Sequence, residues 1–435
     1  PRSLYNWEIS EQIQSTPIGT GIIISPWNFP LAIPCGGIVS SLMSGNTTLL
    51  KPAPETIPIA IELVKLFWEA GIPQSALQIA PITSQKLISQ LIQNKPNTFI
   101  IFTGSTATAK KIRFTSPTTP LYAETGGKNT TIVTDFADQE QAIQNIIKSA
   151  FSHSGQKCSA TSLLILTQNV YNDKKFKKQL TQAILNHRYG SPWQFETQIS
   201  YLAHQPNENL HWALTSLEPN EEWAVKPEFK LTDPPLISPG LKWGIKPGSF
   251  MHQTELFGPI LSVIKANSLS HAIAIANSTE YGLTAGLESL NPDEQNYWKE
   301  NIQAGNLYIN RETTGAVVQR QPFGGIKKSA IGPGIKTGGH FYITSFINTT
   351  KNNNQKKTIE ETIIDYQTIM TNFFTKTHQT SNIIGESNET CYKPVGHIGI
   401  RITETDTIAE IVLIISAAVI TKCKVTVSSD KIPPL

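Results

Sequence analysis

One cysteine, Cys158, lies in a polar sequence that suits a nucleophile. It belongs to the run Ser-Gly-Gln-Lys-Cys-Ser at 154–159, with Lys157 directly before it. The thiolate is the attacking form of cysteine, and a neighbouring cation favours it. A single cysteine is more often a small buried apolar residue. We therefore predict a nucleophile here and keep the packing role as the alternative.

Two further residues stand where predicted strands end and could assist that nucleophile. Glu124 ends the apolar run Leu121–Glu124 and precedes Thr-Gly-Gly, and partial burial would raise its pKa and suit a general base. Asn28, in Pro-Trp-Asn-Phe-Pro, can donate its side-chain amide to a developing oxyanion. The alternatives are a surface carboxylate before a turn and an Asn that caps the following helix.

Candidate dinucleotide-binding residues follow two other predicted strands. Gly104 and Ser105, in Phe-Thr-Gly-Ser, stand at a predicted helix N-terminus, which is a natural site for a pyrophosphate. Lys51, in Leu-Lys-Pro-Ala, could bind ribose hydroxyls, with a surface lysine as the alternative. The common Gly-x-Gly-x-x-Gly fingerprint does not follow the first strand.

The elements that position these residues alternate in a regular way. Continuous apolar strands separated by helices predict a parallel sheet covered on both faces, with ligands at the carboxyl ends of its strands. The predicted strands are 19–25, 47–51, 77–80 and 98–103, and the helices are 31–44, 57–70, 84–93 and 105–114.

A second α/β unit is predicted from about residue 130 to 310. Its strands lie near 131–134, 162–167 and 261–265, whereas 191–248 has poor periodicity and predicts long connections. The polar stretch Asn352–Lys357 predicts a linker, and the tail predicts a strand–helix–strand unit at 396–402, 407–420 and 424–428.

Composition excludes several classes of protein. A net charge of +3 over 435 residues provides no nucleic-acid footprint. The four cysteines form no Cys-x-x-Cys pair, which supports neither a metal site nor a disulfide framework and fits a reducing, cytoplasmic compartment. The longest apolar run, Ile411–Ile420, is too short to span a bilayer, so no transmembrane segment is expected.

Seven motifs occur in an order that resembles the aldehyde dehydrogenase superfamily over about residues 17–347. They are PWNFP, KPA, FTGS, ETGG, GQKCS, ELFGP at 255–259 and PFGG at 322–325. The resemblance implies an α/β aldehyde dehydrogenase fold, with a Rossmann-type cofactor domain and an α/β catalytic domain. Family members carry a longer segment before Gly19, so we expect an N-terminally truncated fold with a partial C-terminal α/β module.

The domain boundaries expected from this resemblance divide the chain into five parts. These are a partial NAD-binding domain at 1–126, a catalytic domain at 127–318, a return to the cofactor and oligomerisation region at 319–350, a linker at 351–372 and a partial dehydrogenase-like module at 373–435.

The resemblance also implies roles for individual residues. Cys158 attacks the aldehyde, Asn28 and the Cys158 amide hold the oxyanion, and Glu124 activates the water that hydrolyses the thioester. NAD is the implied cofactor. An acidic residue usually follows Lys-Pro-Ala, but Pro54 stands there and Glu55 comes one position later, so NAD over NADP is only favoured. The implied cofactor-binding residues are Lys51, Gly104, Ser105, Glu255, Phe257 and Trp27.

A finer resemblance is to the L-glutamate γ-semialdehyde (1-pyrroline-5-carboxylate) dehydrogenases, as in bifunctional proline utilisation A proteins. It implies that Ser159, Gly315 and Ala316 hold the substrate's α-carboxylate, and that Phe29 and Phe323 flank its methylene chain. It also implies a homo-oligomer or association with a proline dehydrogenase domain. A dehydrogenase for another small aldehyde acid and a catalytically silent truncated chain remain as alternatives.

Overall fold

The computed structural model describes residues 13–93, 95–230, 232–317, 320–351 and 357–429. Among these residues two compact units are present: the larger lies within 17–316 and 323–347, and the smaller comprises 13–16, 317, 320–322, 348–351 and 357–429.

The strands, numbered in chain order, are β1 (Ile13–Pro17), β2 (Thr20–Ile24), β3 (Thr47–Lys51), β4 (Leu77–Ile79), β5 (Thr98–Thr103), β6 (Leu121–Glu124), β7 (Asn129–Val133), β8 (Thr161–Thr167), β9 (Glu222–Val225), β10 (Phe229–Lys230), β11 (Leu236–Ile237), β12 (Gly240–Ile245), β13 (Ile260–Ala266), β14 (Tyr281–Gly282), β15 (Thr284–Glu288), β16 (Asn306–Ile309), β17 (Ile326–Lys327), β18 (Ala330–Ile331), β19 (Ile347–Lys351), β20 (His378–Ile383), β21 (Glu386–Thr390), β22 (His397–Ile402) and β23 (Lys424–Ser429). The α-helices are α1 (Ala32–Met43), α2 (Ile57–Glu69), α3 (Gln85–Ile92), α4 (Thr106–Thr115), α5 (Gln139–Phe151), α6 (Gln168–Asn172), α7 (Lys174–Leu185), α8 (Glu208–Thr215), α9 (Phe250–Gln253), α10 (Leu269–Asn277), α11 (Pro292–Asn301), α12 (Ile359–Ile369) and α13 (Ile408–Ile420).

The first sheet of the larger unit has the order β18-β6-β5-β2-β3-β4. Its pairs are parallel except that β18 runs antiparallel to β6. The central strands TGIII and TFIIFT are almost wholly buried because helices cover both faces, which is the environment that continuous β-branched and aromatic runs require. The predicted parallel sheet is confirmed, and its elements lie within a residue or two of the expected bounds.

The second sheet has the order β16-β15-β7-β8-β13-β12-β9 and is parallel except for β9. Residues 125–128 join the carboxyl end of β6 in the first sheet to the amino end of β7 in the second. Side chains at the carboxyl ends of the strands in the first sheet are thereby brought towards the loops that precede the strands of the second sheet.

The prediction of long connections over 191–248 was wrong. This stretch contains α8 and four strands, of which β9 and β12 extend the second sheet. The pattern of β12, GLKWGI, is broken by Gly244 at a register shift and by a fully buried charged residue, Lys242. Such a strand has no clear period in the sequence.

The smaller unit contains the predicted strand–helix–strand, observed as β22, α13 and β23 with the two strands parallel. β20 and β21 form an antiparallel hairpin before it. The stretch expected to be a linker, 351–372, contains α12, which begins with a capping box between Thr358 and Glu361. The polar residues 352–356 lie outside the described residues. No helix in the part of the chain that the structure describes is long and apolar enough to cross a membrane.

Candidate active site

The nucleophile turn connects α5 to β8 and holds Cys158 near the amino edge of the second sheet. It begins with His153, Ser154 and Gly155 at φ angles of 58°, 55° and 69°, in the left-handed region. A Cβ on Gly155 would lie 2.3 Å from the carbonyl oxygen of Gly258, so this position has no room for a side chain. The ELFGP segment therefore packs directly against the approach to Cys158.

Asn28 follows β2 and is tied to the same turn. Its Nδ2 donates to the backbone oxygen of Gln156 at 3.1 Å, and the side chain is buried. The helix that follows has Leu31 at its N-cap, so the capping alternative was wrong. Gln156 lies two residues before Cys158, so this bond holds the Asn28 amide near the cysteine. The second N–H of the same amide can therefore donate to an oxyanion on Cys158.

Glu124 ends β6 and is half-buried. Its Oε2 accepts a hydrogen bond from the N–H of Gly325 at 3.3 Å. Burial raises its pKa from the ordinary value to about 8, although this hydrogen bond and the nearby Lys336 ammonium act in the opposite direction. The predicted rise is confirmed, and the group has the proton affinity of a general base that works near neutral pH.

The expectation that Cys158 favours the thiolate was wrong, because its pKa is raised and not lowered. Burial, followed by the charges of Glu255 and Glu124, raises the pKa of the thiol to about 12. The N–H groups of Ser159 and of Cys158 itself bond to the sulfur and lower the pKa, but they do not outweigh the first three effects. Lys157 directs its Nζ to the Ser152 hydroxyl at 3.0 Å, so sequence adjacency overstated its influence.

Glu255 is held by the segment that follows Glu124. Its Oε1 accepts from the Gly127 N–H at 2.8 Å, and a Cβ on Gly126 would lie 1.9 Å from its Oε2. Burial raises the Glu255 pKa to about 7, opposed by the Gly127 bond and by Lys128. The paired glycines after Glu124 therefore make room for a second carboxylate.

The predicted cofactor residues of the first sheet lie at its carboxyl edge. Lys51 is 7% exposed, which excludes the surface-lysine alternative, and burial lowers its pKa while Glu55 raises it. Glu55, one position later than in the family pattern, is thus still within electrostatic range of the lysine. Its carboxylate also lies 3.2 Å from the His204 ring nitrogen.

The helix N-terminus expected to bind a pyrophosphate is present at α4. Ser105 is the N-cap, and its Oγ accepts from the Thr108 N–H at 3.2 Å, which leaves the N–H groups of Thr106 and Ala107 for an anion. A Cβ on Gly104 would lie 2.6 Å from the Phe102 ring, so a side chain here would require that ring to move. The residues present therefore fit a dinucleotide.

Trp27 and Phe257 form one aromatic wall. Their ring centroids are 5.7 Å apart in an edge-to-face arrangement, and Trp27 contacts His204 in the same way at 5.5 Å. Phe257 has a φ of 55°, in the left-handed region. The structure thus brings these two predicted cofactor residues together.

The residues expected to bind a carboxylate surround the loop after β16. The Ser159 carbonyl accepts from the Thr313 hydroxyl at 3.0 Å, and Gly315 lies two residues further on. Gly315 has a φ of 82° with open space around its Cβ position, and Ala316 is exposed, so the backbone there is accessible. Their binding roles remain predictions.

The two phenylalanines have different surroundings. The Phe29 ring stacks on His153 with centroids 5.8 Å apart, beside the nucleophile turn. Phe323 pairs with Thr337 through two backbone hydrogen bonds, of 3.0 and 2.9 Å. Both side chains are half-buried, and their shared contact with a substrate remains a prediction.

Sequence reasoning missed the buried polar residues beneath Cys158. Asn129, Thr284 and Thr313 all bond to backbone carbonyls of residues 158–160. The available signal was polar residues in a strand, since Asn-Thr-Thr opens the fully buried β7. Among the described residues, no group of three or more His, Cys, Asp or Glu side chains could hold a metal ion.

Comparison with known proteins places this site in a family. The profile described as "Aldehyde dehydrogenase family" matches residues 3–352, and the chain belongs to that family. The predicted family, fold and enzyme class are therefore confirmed.

The similar proteins have a narrower common name. A 1-pyrroline-5-carboxylate dehydrogenase of Bacillus cereus is 35% identical over 366 residues, which cover 80% of this chain and 67% of that protein. Proline utilization A from Corynebacterium freiburgense has a TM-score of 0.91 at 35% identity, and the match covers 97% of this chain but 45% of the other. A Thermus 1-pyrroline-5-carboxylate dehydrogenase with bound NAD has a TM-score of 0.70 at 31% identity, covering 78% and 67%. The chain thus spans only part of each relative.

Proposed function

We propose that this chain catalyses the NAD-dependent oxidation of L-glutamate γ-semialdehyde to L-glutamate, a step of proline degradation. The observation that carries the proposal is the connection of Asn28, from the first sheet, to the carbonyl two residues before Cys158, with Glu124 and Glu255 in electrostatic range of the thiol. The names of the relatives support the substrate, and the Thermus structure with bound NAD supports the cofactor.

The proposed chemistry assigns one role to each of these groups. The Cys158 thiol gives its proton to solvent, its sulfur bonds to the aldehyde carbon as the C=O π bond breaks, and the oxyanion that results lies at the Asn28 amide and the Cys158 N–H. NAD, when bound, supplies the two-electron acceptor that converts this adduct to a thioester. Glu124 then removes a proton from water, the water oxygen bonds to the carbonyl carbon, and the Cys158 sulfur leaves as the carboxylic acid is released.

The substrate's charged end fits the loop that contains Gly315 and Ala316. The exposed Gly315–Ala316 backbone supplies N–H donors, and Ser159 lies beside Thr313 of the same loop. Several donors are needed to hold a carboxylate, and a single hydroxyl would not suffice. In the cofactor site, Lys51, Glu255 and the α4 N-terminus would hold the riboses and pyrophosphate.

Steady-state NADH production tests this proposal. The purified chain should turn over L-glutamate γ-semialdehyde with a higher kcat/KM than succinic semialdehyde, and Cys158→Ala should abolish turnover while calorimetry still detects NAD binding. Equal or better use of succinic semialdehyde would support another small aldehyde acid as substrate. If the wild-type chain neither binds NAD nor oxidises either aldehyde, the result would support the silent-chain alternative.

We further propose a homo-oligomer or association with a proline dehydrogenase domain, in a cytoplasmic setting. The first part follows from the similarity to a proline utilization protein, and the second from the need to keep the Cys158 thiol reduced. Sedimentation of the chain alone and mixed with a proline dehydrogenase tests association. Fractionation of the source cells tests location.

A further inference from the structure

Three consecutive carbonyl groups around the nucleophile face a buried polar cluster, which consists of Asn129, Thr284 and Thr313. The carbonyls of Cys158 and Ala160 accept from Asn129 Nδ2 at 2.6 and 2.9 Å. The carbonyl between them, that of Ser159, accepts from the hydroxyls of Thr284 and Thr313 at 3.2 and 3.0 Å.

Asn129 is itself fixed in orientation. Its Oδ1 accepts from the Thr284 N–H at 3.0 Å, so the two N–H groups of its amide can point only at the two carbonyls. The side chain is 2% exposed and stands at the first position of β7. The oxygen and both N–H groups of the Asn129 amide therefore all have hydrogen-bond partners.

We propose that Asn129 is a positioning residue that orients the peptide between Cys158 and Ser159 so that the Ser159 N–H faces the Cys158 sulfur. Because a peptide unit is planar and trans, its C=O and N–H point in opposite directions. Holding the Cys158 carbonyl at Asn129 therefore turns the Ser159 N–H towards the thiol. The proposal rests on the assignment of Cys158 as the nucleophile.

The electrostatics of the sulfur agree with this geometry. The Ser159 N–H is one of two groups that lower the pKa of Cys158, whereas burial, Glu255 and Glu124 raise it. Two other titratable groups, Lys157 and Tyr308, also interact with the thiol. Neither of these bonds to Asn129, so changing Asn129 removes no direct hydrogen bond from either group.

The test is the rate at which iodoacetamide alkylates Cys158 as a function of pH, followed by mass spectrometry of its peptide. The serine side chain of Asn129→Ser is too short to reach both carbonyls, so the pKa of the Cys158 thiol should rise. Alkylation should then be about tenfold slower at neutral pH, and its pH profile should shift to higher pH. NAD affinity should not change. Alkylation needs no aldehyde, so a wrong substrate assignment would leave this result intact.

Asn145→Ser is the matched control, since Asn145 is also a buried amide but bonds to Glu288 rather than to the nucleophile turn. It should lower stability and leave alkylation of Cys158 unchanged. If Asn129→Ser lowers stability in the same way with an unchanged alkylation profile, Asn129 has only a structural role and the proposal fails.

A second variant covers the case in which Asn129→Ser does not fold. Asn129→Thr suits the strand better and retains one hydroxyl donor in place of the two N–H groups, so it should slow alkylation by a smaller factor, about twofold to threefold. An alkylation profile for Asn129→Thr that coincides with that of the wild type would then overturn the proposal.

Discussion

At the scale of single residues, the site depends on how far burial changes proton affinities. Glu124 has a pKa of about 8, Glu255 of about 7 and the Cys158 thiol of about 12. In each case removal from water is the largest cause. These groups are poised near or above neutral pH, whereas free carboxyl groups titrate far below it.

The first prediction concerns Glu124 as the base that hydrolyses the thioester. Because only its ionised form accepts a proton, the rate of hydrolysis should rise with pH through about 8. Glu124→Gln should lower kcat by about 10²–10⁴-fold and abolish this rise. Stopped-flow measurements should then show an NADH burst followed by slow turnover, and a variant without a burst would contradict the assignment to hydrolysis.

The second prediction concerns Glu288, a buried carboxyl at the end of β15. Burial raises its pKa to about 8, although Asn145 donates to both of its oxygens at 3.1 and 3.2 Å. Its pKa is higher in the folded state than in the unfolded state, so its contribution to stability is complete at acidic pH and is lost as pH rises through about 8.

Glu288→Gln should remove this loss. The difference in free energy of unfolding, Glu288→Gln minus wild type, should increase by at least about 1 kcal/mol from mildly acidic to mildly alkaline pH. Urea titrations at several pH values measure it, with the exposed Glu69→Gln as control. Parallel stability curves for wild type and Glu288→Gln would show that the carboxyl is ionised in the folded chain.

At the scale of elements, loop geometry determines where the nucleophile lies. Gly155 and Gly71 both have positive φ angles, 69° and 97°, but only Gly155 has a neighbouring atom, the Gly258 oxygen, within 4 Å of an added Cβ. An alanine at either position would strain the backbone, but only an alanine at position 155 would also clash with neighbouring atoms.

The third prediction compares alanine at these two glycines. Gly155→Ala should lower the free energy of unfolding by about 1–3 kcal/mol more than Gly71→Ala, and should also lower kcat/KM because the turn before Cys158 must shift. Urea unfolding and steady-state kinetics measure the two effects. Equal losses for the two variants would mean that the nucleophile turn tolerates a side chain.

The sequence was informative about elements whose pattern is continuous. β2, β3 and β5 each contain an uninterrupted apolar run, III, LL and FIIF, so their bounds could be predicted closely. β12 could not, because a buried lysine and a glycine at a register shift interrupt it. The same applies to the site: ordered motifs indicated Cys158 and Glu124, whereas Asn129 contacts Thr284, which is 155 positions away, through a bond that no local pattern encodes.

At the scale of the whole molecule, the two units differ in how completely they bury apolar residues. The larger unit encloses side chains as large as Trp298, which is fully buried. In the smaller unit, α13 is apolar around most of its surface, yet Ile408, Ile414 and Val419 are 74%, 53% and 59% exposed. Such surface lowers solubility.

The fourth prediction follows from this exposed surface. Ile414→Lys combined with Val419→Lys should raise the protein concentration at which light scattering detects aggregation and leave NAD affinity unchanged. Ala418→Lys, at a position that is 4% exposed in the same helix, should instead destabilise the smaller unit. No gain in solubility from the double variant would show that these two side chains are not the source of aggregation.

The short connection between the sheets has a consequence for mutational tolerance. Residues 125–128 separate the end of β6 from the start of β7, and within this interval the Gly127 N–H binds Glu255. An added or deleted residue here would change the separation of Glu124 and Asn129, and if it shifted β7 by one residue it would turn the side chains of that strand to the opposite faces of the sheet. The length of the ETGGKN motif therefore fixes the separation between the base Glu124 and the residues that hold Cys158. Insertion scanning should find that this segment tolerates added residues less well than most of the chain.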